Sequence, residues 1–199
     1  MFPPHAVKRG ESYVNADAPQ KWVDYYADKE ITFREGVSES MRTQEAIDSI
    51  KQYYAHCSAI DEEVGRMLDA VQEAGIKDNT IIVFTSDHGD FLWTHNRTAG
   101  KGMPYEEAIR VPFIVSWPGK IEKGAVSDAL FSAVDIAPTM LGLAGIDKPV
   151  YMDGINFAPM LLGENMNLPQ AVFLSADEGG GGVWRGVRTE RYTYSIGKY

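Results

Sequence analysis

Apolar residues between positions 44 and 74 recur every three or four positions, which is the spacing of one face of an α-helix. Gly75 follows at the place where a glycine in the left-handed conformation commonly ends a helix. The segment predicts a long amphipathic helix that packs on a sheet, and a shorter helix is predicted around Gln20–Tyr26. The apolar positions of the long helix are Ile47, Ile50, Tyr54, Cys57, Ile60, Val64, Leu68 and Val71.

Two short segments are instead continuously apolar and rich in β-branched residues. The first, at 81–84, breaks into the polar sequence Thr-Ser-Asp-His-Gly-Asp at 85–90, and the second occupies Val111–Trp117 before Pro118. Uninterrupted apolar runs that end in turn residues are typical of strands buried on both faces. We therefore predict two buried strands, and in open α/β sheets ligands bind beyond the carboxyl ends of such strands.

Further helices and strands are predicted in the rest of the chain. The acidic residues after Pro104 mark a helix start. Asp135 is predicted to cap a helix that ends near Ala144, with Gly145 as its C-terminal cap. From Ala171 onward, short runs separated by turns predict antiparallel strands.

Composition narrows the classes of function. The chain has 199 residues, of which 44% are hydrophobic and 24% charged, and its formal net charge is -9. This acidic balance, without a basic block to release counterions from phosphates, disfavours nucleic acid and an anionic membrane surface as partners. No apolar run approaches the length of a bilayer-spanning helix, and the single cysteine allows no intrachain disulfide. The N-terminus lacks the apolar segment of a secretory signal, and the localisation stays open.

Asp87 and His88 are the first candidates for chemistry because they directly follow a predicted buried strand. A carboxylate contributes charge and a hard oxygen, and a neutral imidazole contributes nitrogen, which together suit a divalent cation. Asp and Gly are also common turn residues. On the sequence Asp87-His88-Gly89 alone, a simple turn is the favoured interpretation.

Three motifs follow one another around this strand. Ser-Asp-His-Gly-Asp at 86–90 precedes Gly-Lys-Gly-Met-Pro-Tyr-Glu-Glu at 100–107 and Ile-Arg-Val-Pro-Phe-Ile-Val-Ser-Trp-Pro-Gly at 109–119. In this order they strongly resemble the sulfatase family of the alkaline-phosphatase-like superfamily. The resemblance implies that Asp87 and His88 ligate a calcium ion and that Lys101 contacts the sulfate group and takes part in catalysis.

The resemblance also implies the fold. It implies an α/β, alkaline-phosphatase-like sandwich with a mostly parallel central sheet flanked by helices, followed by the start of a small C-terminal antiparallel sheet. Residues 1–165 correspond to the C-terminal half of the catalytic domain, and residues 166–199 correspond to the beginning of the antiparallel subdomain. Nearly all of this chain is covered, but only about the second half of a sulfatase.

Two histidines have weaker counterparts in the family. In sulfatases the histidine of a Pro-His segment acts in proton transfer at the sulfate ester, and His5 is its counterpart, although Val7 replaces the usual proline. The alternative is an exposed histidine near the terminus. His95 resembles a family histidine that precedes the lysine and contacts the substrate, but its spacing to Lys101 is one residue longer. A solvated loop histidine is the alternative.

The family's nucleophile has no counterpart in this sequence. Sulfatases use formylglycine, an oxidised cysteine in a Cys-x-Pro-Ser-Arg segment, and neither this segment nor its serine version occurs here. Cys57 is followed by Ser-Ala-Ile-Asp and lies on the apolar side of the predicted long helix, so it is predicted to be a core cysteine. We expect no turnover of sulfate esters by this chain alone and only weak metal binding.

Three functions remain open. The leading hypothesis is a portion of a sulfatase that hydrolyses sulfate esters with a divalent metal, acting on a sulfated small molecule or glycan. The alternatives are a phosphatase or phosphonate hydrolase of the same superfamily and a non-catalytic truncated module. An exposed hydrophobic sheet edge is expected, which the missing N-terminal half or a homo-oligomer would cover.

Overall fold

The computed structural model describes residues 6–9, 12–15, 18–98, 100–177 and 182–198. These residues form two compact units: the described residues up to Gly75 with Asp90–Gly100, and Ile76–Gly89 with the described residues from Lys101 onward. No helix in the described part of the chain has the length and apolarity to cross a membrane. In chain order the elements are β1 (Ala6–Arg9), β2 (Ser12–Asn15), α1 (Gln20–Ala27), α2 (Gln44–Glu73), β3 (Ile82–Thr85), α3 (Glu106–Ile109), β4 (Phe113–Ser116), α4 (Ile136–Leu143), α5 (Ala158–Leu161), β5 (Ala171–Ala176), β6 (Val183–Thr189) and β7 (Thr193–Lys198).

The first unit is organised around α2, whose bounds confirm the predicted long helix. The Thr43 hydroxyl accepts a hydrogen bond of 3.2 Å from the Ala46 N–H, which satisfies one of the donors left unpaired at a helix start. Gly75 ends the helix with a φ of 67°, a conformation that glycine adopts without a steric penalty. Helix α1 confirms the short helix predicted around Gln20–Tyr26. It packs on α2, and the hydroxyls of Tyr26 and Ser58 lie 2.9 Å apart.

The core of the first unit combines α2 with two loops. The loop at 90–100 contributes the most deeply buried large side chain of this unit, Phe91, which is 1% exposed. Packing of these side chains is the main stabilising contribution available to the unit, since hydrophobic burial is worth about 25 cal/mol per Å². The buried members of the cluster are Val37, Ala46, Ile50, Leu92 and Trp93.

The second unit begins with a two-stranded sheet of β3 and β4. The strands are antiparallel, with Thr85 opposite Phe113, because the chain after β3 meets the chain before β4: the Gly89 N–H donates to the Ala108 carbonyl. Every strand pair among the described residues is antiparallel, so these residues contain none of the parallel pairs expected for the central sheet. The prediction of burial on both faces is wrong for both strands, since Phe84 is 37% and Ile114 is 59% exposed.

Helix α4 begins after a 3-10 turn, Ala133–Asp135, and ends before Gly145 as predicted. Asp135 stands at the predicted N-cap position, but its side chain does not cap α4. One carboxylate oxygen instead accepts from the Ser132 N–H at 2.8 Å, and the other accepts from the Ile155 N–H at 2.7 Å. Asp135 therefore connects the start of α4 to the segment that leads into α5.

The predicted C-terminal antiparallel sheet is present as β5-β6-β7, with β6 in the centre. Trp184 on β6 is buried, whereas Phe173, Tyr194 and Ile196 are exposed. One face of the sheet therefore packs against the rest of the second unit, and the other, apolar face is left exposed by the described residues. The domain boundary expected at residue 165 stays a prediction.

Candidate active site

The polar turn after β3 lies against the short helix α3. A hydrogen bond of 2.9 Å joins the Gly89 N–H to the Ala108 carbonyl. A Cβ atom at Gly89 would lie 1.9 Å from the backbone oxygen of Glu107, which is closer than any non-bonded carbon and oxygen can approach. Only glycine permits this contact, so the contact fixes the turn that carries Asp87 and His88.

The ring of His88 is oriented by its own backbone. Its Nδ1 lies 2.7 Å from the Gly89 carbonyl oxygen, and because a carbonyl only accepts hydrogen bonds, Nδ1 carries the proton. The lone pair of the ring is then on Nε2, and this nitrogen lies against Lys101.

Lys101 brings a positive charge to that lone pair. Its Nζ lies 2.5 Å from His88 Nε2, and the ammonium is the donor because it has no lone pair of its own. Asp87 completes the group, with Oδ2 at 3.5 Å from His88 Nε2. The second unit thus brings together three of the residues predicted from the sequence: Asp87, His88 and Lys101.

The neighbouring groups determine the pKa of the Asp87 carboxyl. Partial burial acts to raise the pKa of the carboxyl. The adjacent His88, hydrogen bonds from backbone N–H groups of His88 and Asp87, and the Lys101 ammonium outweigh it and lower the pKa below its ordinary value. Asp87 is therefore a carboxylate at neutral pH and presents a charged oxygen.

Asp87 and His88 fit a divalent cation as two of its ligands. Two donor atoms bound at right angles to one calcium ion at about 2.4 Å lie about 3.4 Å apart, close to the 3.5 Å between Asp87 Oδ2 and His88 Nε2. No group of three or more His, Cys, Asp or Glu side chains that could hold a metal occurs among the described residues. Metal binding by Asp87 and His88 stays a prediction.

Two residues without a predicted role, one in each unit, hold the backbone of their own loops. The Ser86 hydroxyl donates to the His88 carbonyl at 2.8 Å and also lies 3.4 Å from Asp87 Oδ1, so it holds the turn closed. In the first unit, Asp90 accepts from the N–H groups of Leu92 at 2.8 Å and Gly100 at 3.2 Å. Both residues could have been predicted from their type, since Asp and Ser side chains commonly bond to backbone groups one or two residues away.

Asp90 bonds to backbone groups near both ends of the loop at 90–100. This loop contains an unusual run of backbone conformations. Leu92, Trp93, His95 and Asn96 have φ values of 42°, 72°, 54° and 55°, a region that residues other than glycine adopt at a cost. Trp93 Nε1 is buried without a hydrogen-bond partner among the described residues. The loop is therefore held by packing against the first unit rather than by its own preference.

The structure does not test the roles predicted for the two other histidines. His95 lies in the first unit, where its exposed ring stands edge-on to Phe91 with centroids 6.2 Å apart and its N–H donates to the Gly36 carbonyl at 3.4 Å. Its contact with a substrate stays a prediction. His5 lies outside the described residues.

The prediction of a core cysteine is wrong, because Cys57 is exposed on α2. The helical stripe was identified correctly, but only Ala46, Ile50 and Ala55 of α2 are buried. Partial desolvation of the sulfur nevertheless raises the pKa of the Cys57 thiol. A thiol with a raised pKa is a poor nucleophile at neutral pH.

We expect alkylation of Cys57 by iodoacetamide to be slower at pH 8 in the folded chain than in the chain unfolded in urea. The raised pKa reduces the thiolate fraction at that pH, and the folded-state rate should keep rising at pH values where the rate of the unfolded chain has levelled off. The measurement is the pH profile of modification by mass spectrometry. Coinciding pH profiles for the two states would contradict the expectation.

A family model, related proteins and solved structures all identify the same family. The family model described as Sulfatase matches residues 9–146. An endo-4-O-sulfatase of Bacteroides thetaiotaomicron is 32% identical over 98% of this chain and 41% of its own length. A solved structure connected with the metabolism of multiple glycosaminoglycans by Bacteroides thetaiotaomicron is 29% identical, has a TM-score of 0.85 and is covered over 43% of its length.

A second solved structure holds a ligand. It was determined in complex with its substrate, D-glucosamine-2-N,6-O-disulfate, and matches 90% of this chain with 28% identity and a TM-score of 0.74. The structural matches confirm the predicted fold class. The chain spans less than half the length of these relatives.

Proposed function

The chain belongs to the sulfatase family, and from this we propose that it serves the hydrolysis of sulfate esters, with Asp87 and His88 as ligands of a divalent metal and Lys101 as a contact of the sulfate group. The observation that carries the proposal is the 2.5 Å contact between Lys101 Nζ and His88 Nε2 beside the Asp87 carboxylate. One ammonium group and two side chains suited to a divalent cation therefore lie together in the second unit, which supports the proposal.

The chemistry of sulfate ester cleavage calls for positive charge at this point. Negative charge shifts to the leaving oxygen as the ester bond breaks, and fixed positive groups stabilise it. Lys101 supplies one such group, with three N–H donors on a flexible stem. A calcium ion, when bound, would add a Lewis acid that polarises the sulfate oxygens.

The present contact of Lys101 also limits what His88 can do. The lone pair of Nε2 serves one partner at a time, so His88 cannot ligate a metal and accept from Lys101 together. As a metal ligand, His88 leaves the ammonium of Lys101 to another acceptor. A sulfate oxygen is the acceptor that its charge and three donors fit.

The other participants are proposals that rest on family membership. A formylglycine nucleophile is proposed to come from outside this sequence, which has no segment for it. His5 is proposed to transfer a proton at the ester, and His95 to contact the substrate. The exposed apolar side chains of β4 and of the C-terminal sheet support the proposal that a further part of a sulfatase domain, or a second copy, covers them.

We propose a sulfated saccharide as the substrate class. One relative is an endo-4-O-sulfatase, and one structural neighbour binds a disulfated glucosamine. A phosphonate or phosphate ester remains the alternative that the experiment below distinguishes.

The proposal is tested with a chimaera in which this chain replaces the corresponding part of the Bacteroides endo-4-O-sulfatase. We expect the chimaera to release sulfate from an aryl sulfate and to act far less on an aryl phosphonate. Lys101→Ala and Asp87→Ala are each expected to reduce kcat/KM by about 100-fold or more, since each removes a charge that acts on the transition state.

Lys120→Ala is the matched control, because this exposed lysine also follows a glycine and should leave the rate unchanged. A chimaera that folds by circular dichroism and releases no sulfate would contradict the proposal. If the chimaera prefers the phosphonate, the proposed function changes to that of a phosphonate hydrolase of the same superfamily.

A further inference from the structure

Lys101 lies between two glycines, so its segment has little conformational preference of its own. Gly100 and Gly102 flank it with φ values of 120° and 96°, and glycine has more backbone freedom than any other residue. A lysine between two such residues needs an external contact to keep its ammonium at one place. Two side chains of the second unit supply such contacts.

One group that holds this segment lies far away in sequence. The indole N–H of Trp184, on the central strand β6, donates a hydrogen bond of 2.5 Å to the carbonyl of Gly102. Trp184 is 4% exposed, so its indole N–H cannot readily exchange this bond for one with water. Its neighbours across the sheet are the small residues Ala176 and Gly197, which leave room for the indole.

A second contact from the same strand reaches the same segment. The Arg188 guanidinium lies 3.1 Å from a carboxylate oxygen of Glu106, in the first turn of α3. Residues 184 and 188 are on the same face of β6, since side chains alternate along a strand. Trp184 bonds to Gly102, and Arg188 bonds to Glu106. Two residues that lie four positions apart on β6 therefore hold two residues that lie four positions apart after Lys101.

Helix α3 connects these contacts to the turn that carries Asp87 and His88. Its Ala108 carbonyl accepts from Gly89, and Gly89 directly follows His88. Contacts from β6 therefore reach Lys101 through Gly102, and reach Asp87 and His88 through α3.

We propose that Trp184 is a positioning residue for Lys101: by holding the Gly102 carbonyl it keeps the Lys101 ammonium against the Asp87–His88 pair and ready for a sulfate oxygen. Arg188 supports the same segment through Glu106. The sheet β5-β6-β7 thus acts on the candidate site without contacting the substrate. This inference rests on the proposed function only for the identity of the anion.

The test uses the whole 199-residue chain labelled with ¹⁵N, and compares Trp184→Phe with Trp117→Phe. Trp117 is the matched control because its indole N–H also donates to a backbone carbonyl, that of Asp78 at 3.1 Å, away from Lys101. The first readout is the Nε2 resonance of His88, which reports the hydrogen bond from Lys101. The second is a titration with inorganic sulfate.

We expect Trp184→Phe to move the His88 Nε2 resonance toward its position in Lys101→Ala, and to weaken sulfate binding about fivefold, the effect of one lost hydrogen bond. Trp117→Phe should leave both readouts unchanged even if it lowers the melting temperature equally. If Trp184→Phe does not fold, replacement of Trp184 by the isosteric benzothienylalanine removes the N–H alone and decides the question.

The outcomes separate the two proposals. An unmoved His88 resonance in folded Trp184→Phe, or equal effects of the two tryptophan variants, would overturn the role of Trp184. Sulfate titrations that are identical for the wild-type chain and Lys101→Ala would overturn the sulfate contact instead. In that case the His88 resonance still decides whether Trp184 positions Lys101.

Discussion

Replacement of Gly89 by alanine is expected to destabilise the second unit by about 3 kcal/mol, in the upper range for overpacking. The added Cβ would lie 1.9 Å from the backbone oxygen of Glu107. Backbone cannot turn aside as a flexible side chain can, so α3 and the turn after β3 must separate. The hydrogen bond between Gly89 and Ala108 would be lost with that movement.

Urea unfolding followed by circular dichroism measures this effect, and Gly65→Ala is the matched control. Gly65 lies within α2 at a position where a Cβ would meet nothing within 4 Å, so alanine there should stabilise the helix by up to about 1 kcal/mol. The two glycine substitutions should therefore move the midpoint in opposite directions. Equal midpoints for Gly89→Ala and the wild-type chain would contradict the close approach.

Asp135→Ala is the second substitution for which we expect a large effect, about 3 kcal/mol of lost stability. The carboxylate is 3% exposed and accepts from the N–H groups of Ser132 and Ile155. Alanine leaves both donors without an acceptor, and each such buried group costs about 1–3 kcal/mol. The connection between the start of α4 and the segment before α5 would be lost.

Asp135→Asn separates the two hydrogen bonds. The amide keeps one accepting oxygen but turns an NH₂ group toward the other N–H, so about half of the loss is expected. Asp128→Ala, at an exposed position, should change stability by less than about 0.5 kcal/mol. The measurement is again the free energy of unfolding in urea, and an Asp135→Ala variant as stable as Asp128→Ala would refute the assignment.

The elements that the sequence predicted well are those whose signals are local. The bounds of α2 follow from a 30-residue apolar stripe between Thr43 and Gly75, and the α1 segment and α4 carry similar signals. From the residues alone, Asp87-His88-Gly89 favoured a simple turn, and the hypothesis that Asp87 and His88 ligate a metal came from the family resemblance. The motif order added Lys101, which chain spacing alone would not have connected to His88.

What the sequence did not predict depends on contacts between distant residues. The approach of Gly89 to α3 and the bond from Trp184 to Gly102 join positions about 20 and 80 residues apart, as the printed numbering shows, and no periodicity encodes them. The exposure of Cys57 and of Ile114 also depends on which neighbours cover a face, rather than on the pattern of the element itself. Hydrophobic periodicity identifies the apolar face but not its degree of burial.

The loop at 90–100 has a consequence for the order in which the chain folds. Its left-handed residues, from Leu92 to Asn96, oppose formation of the loop as an isolated segment, since each conformation of this kind costs about 1–2 kcal/mol. The cost is offset when Leu92 and Trp93 are buried in one cluster with Ala46 and Ile50 of α2. We therefore expect the loop to close only after α2 has formed, and to open when that helix loses its packing.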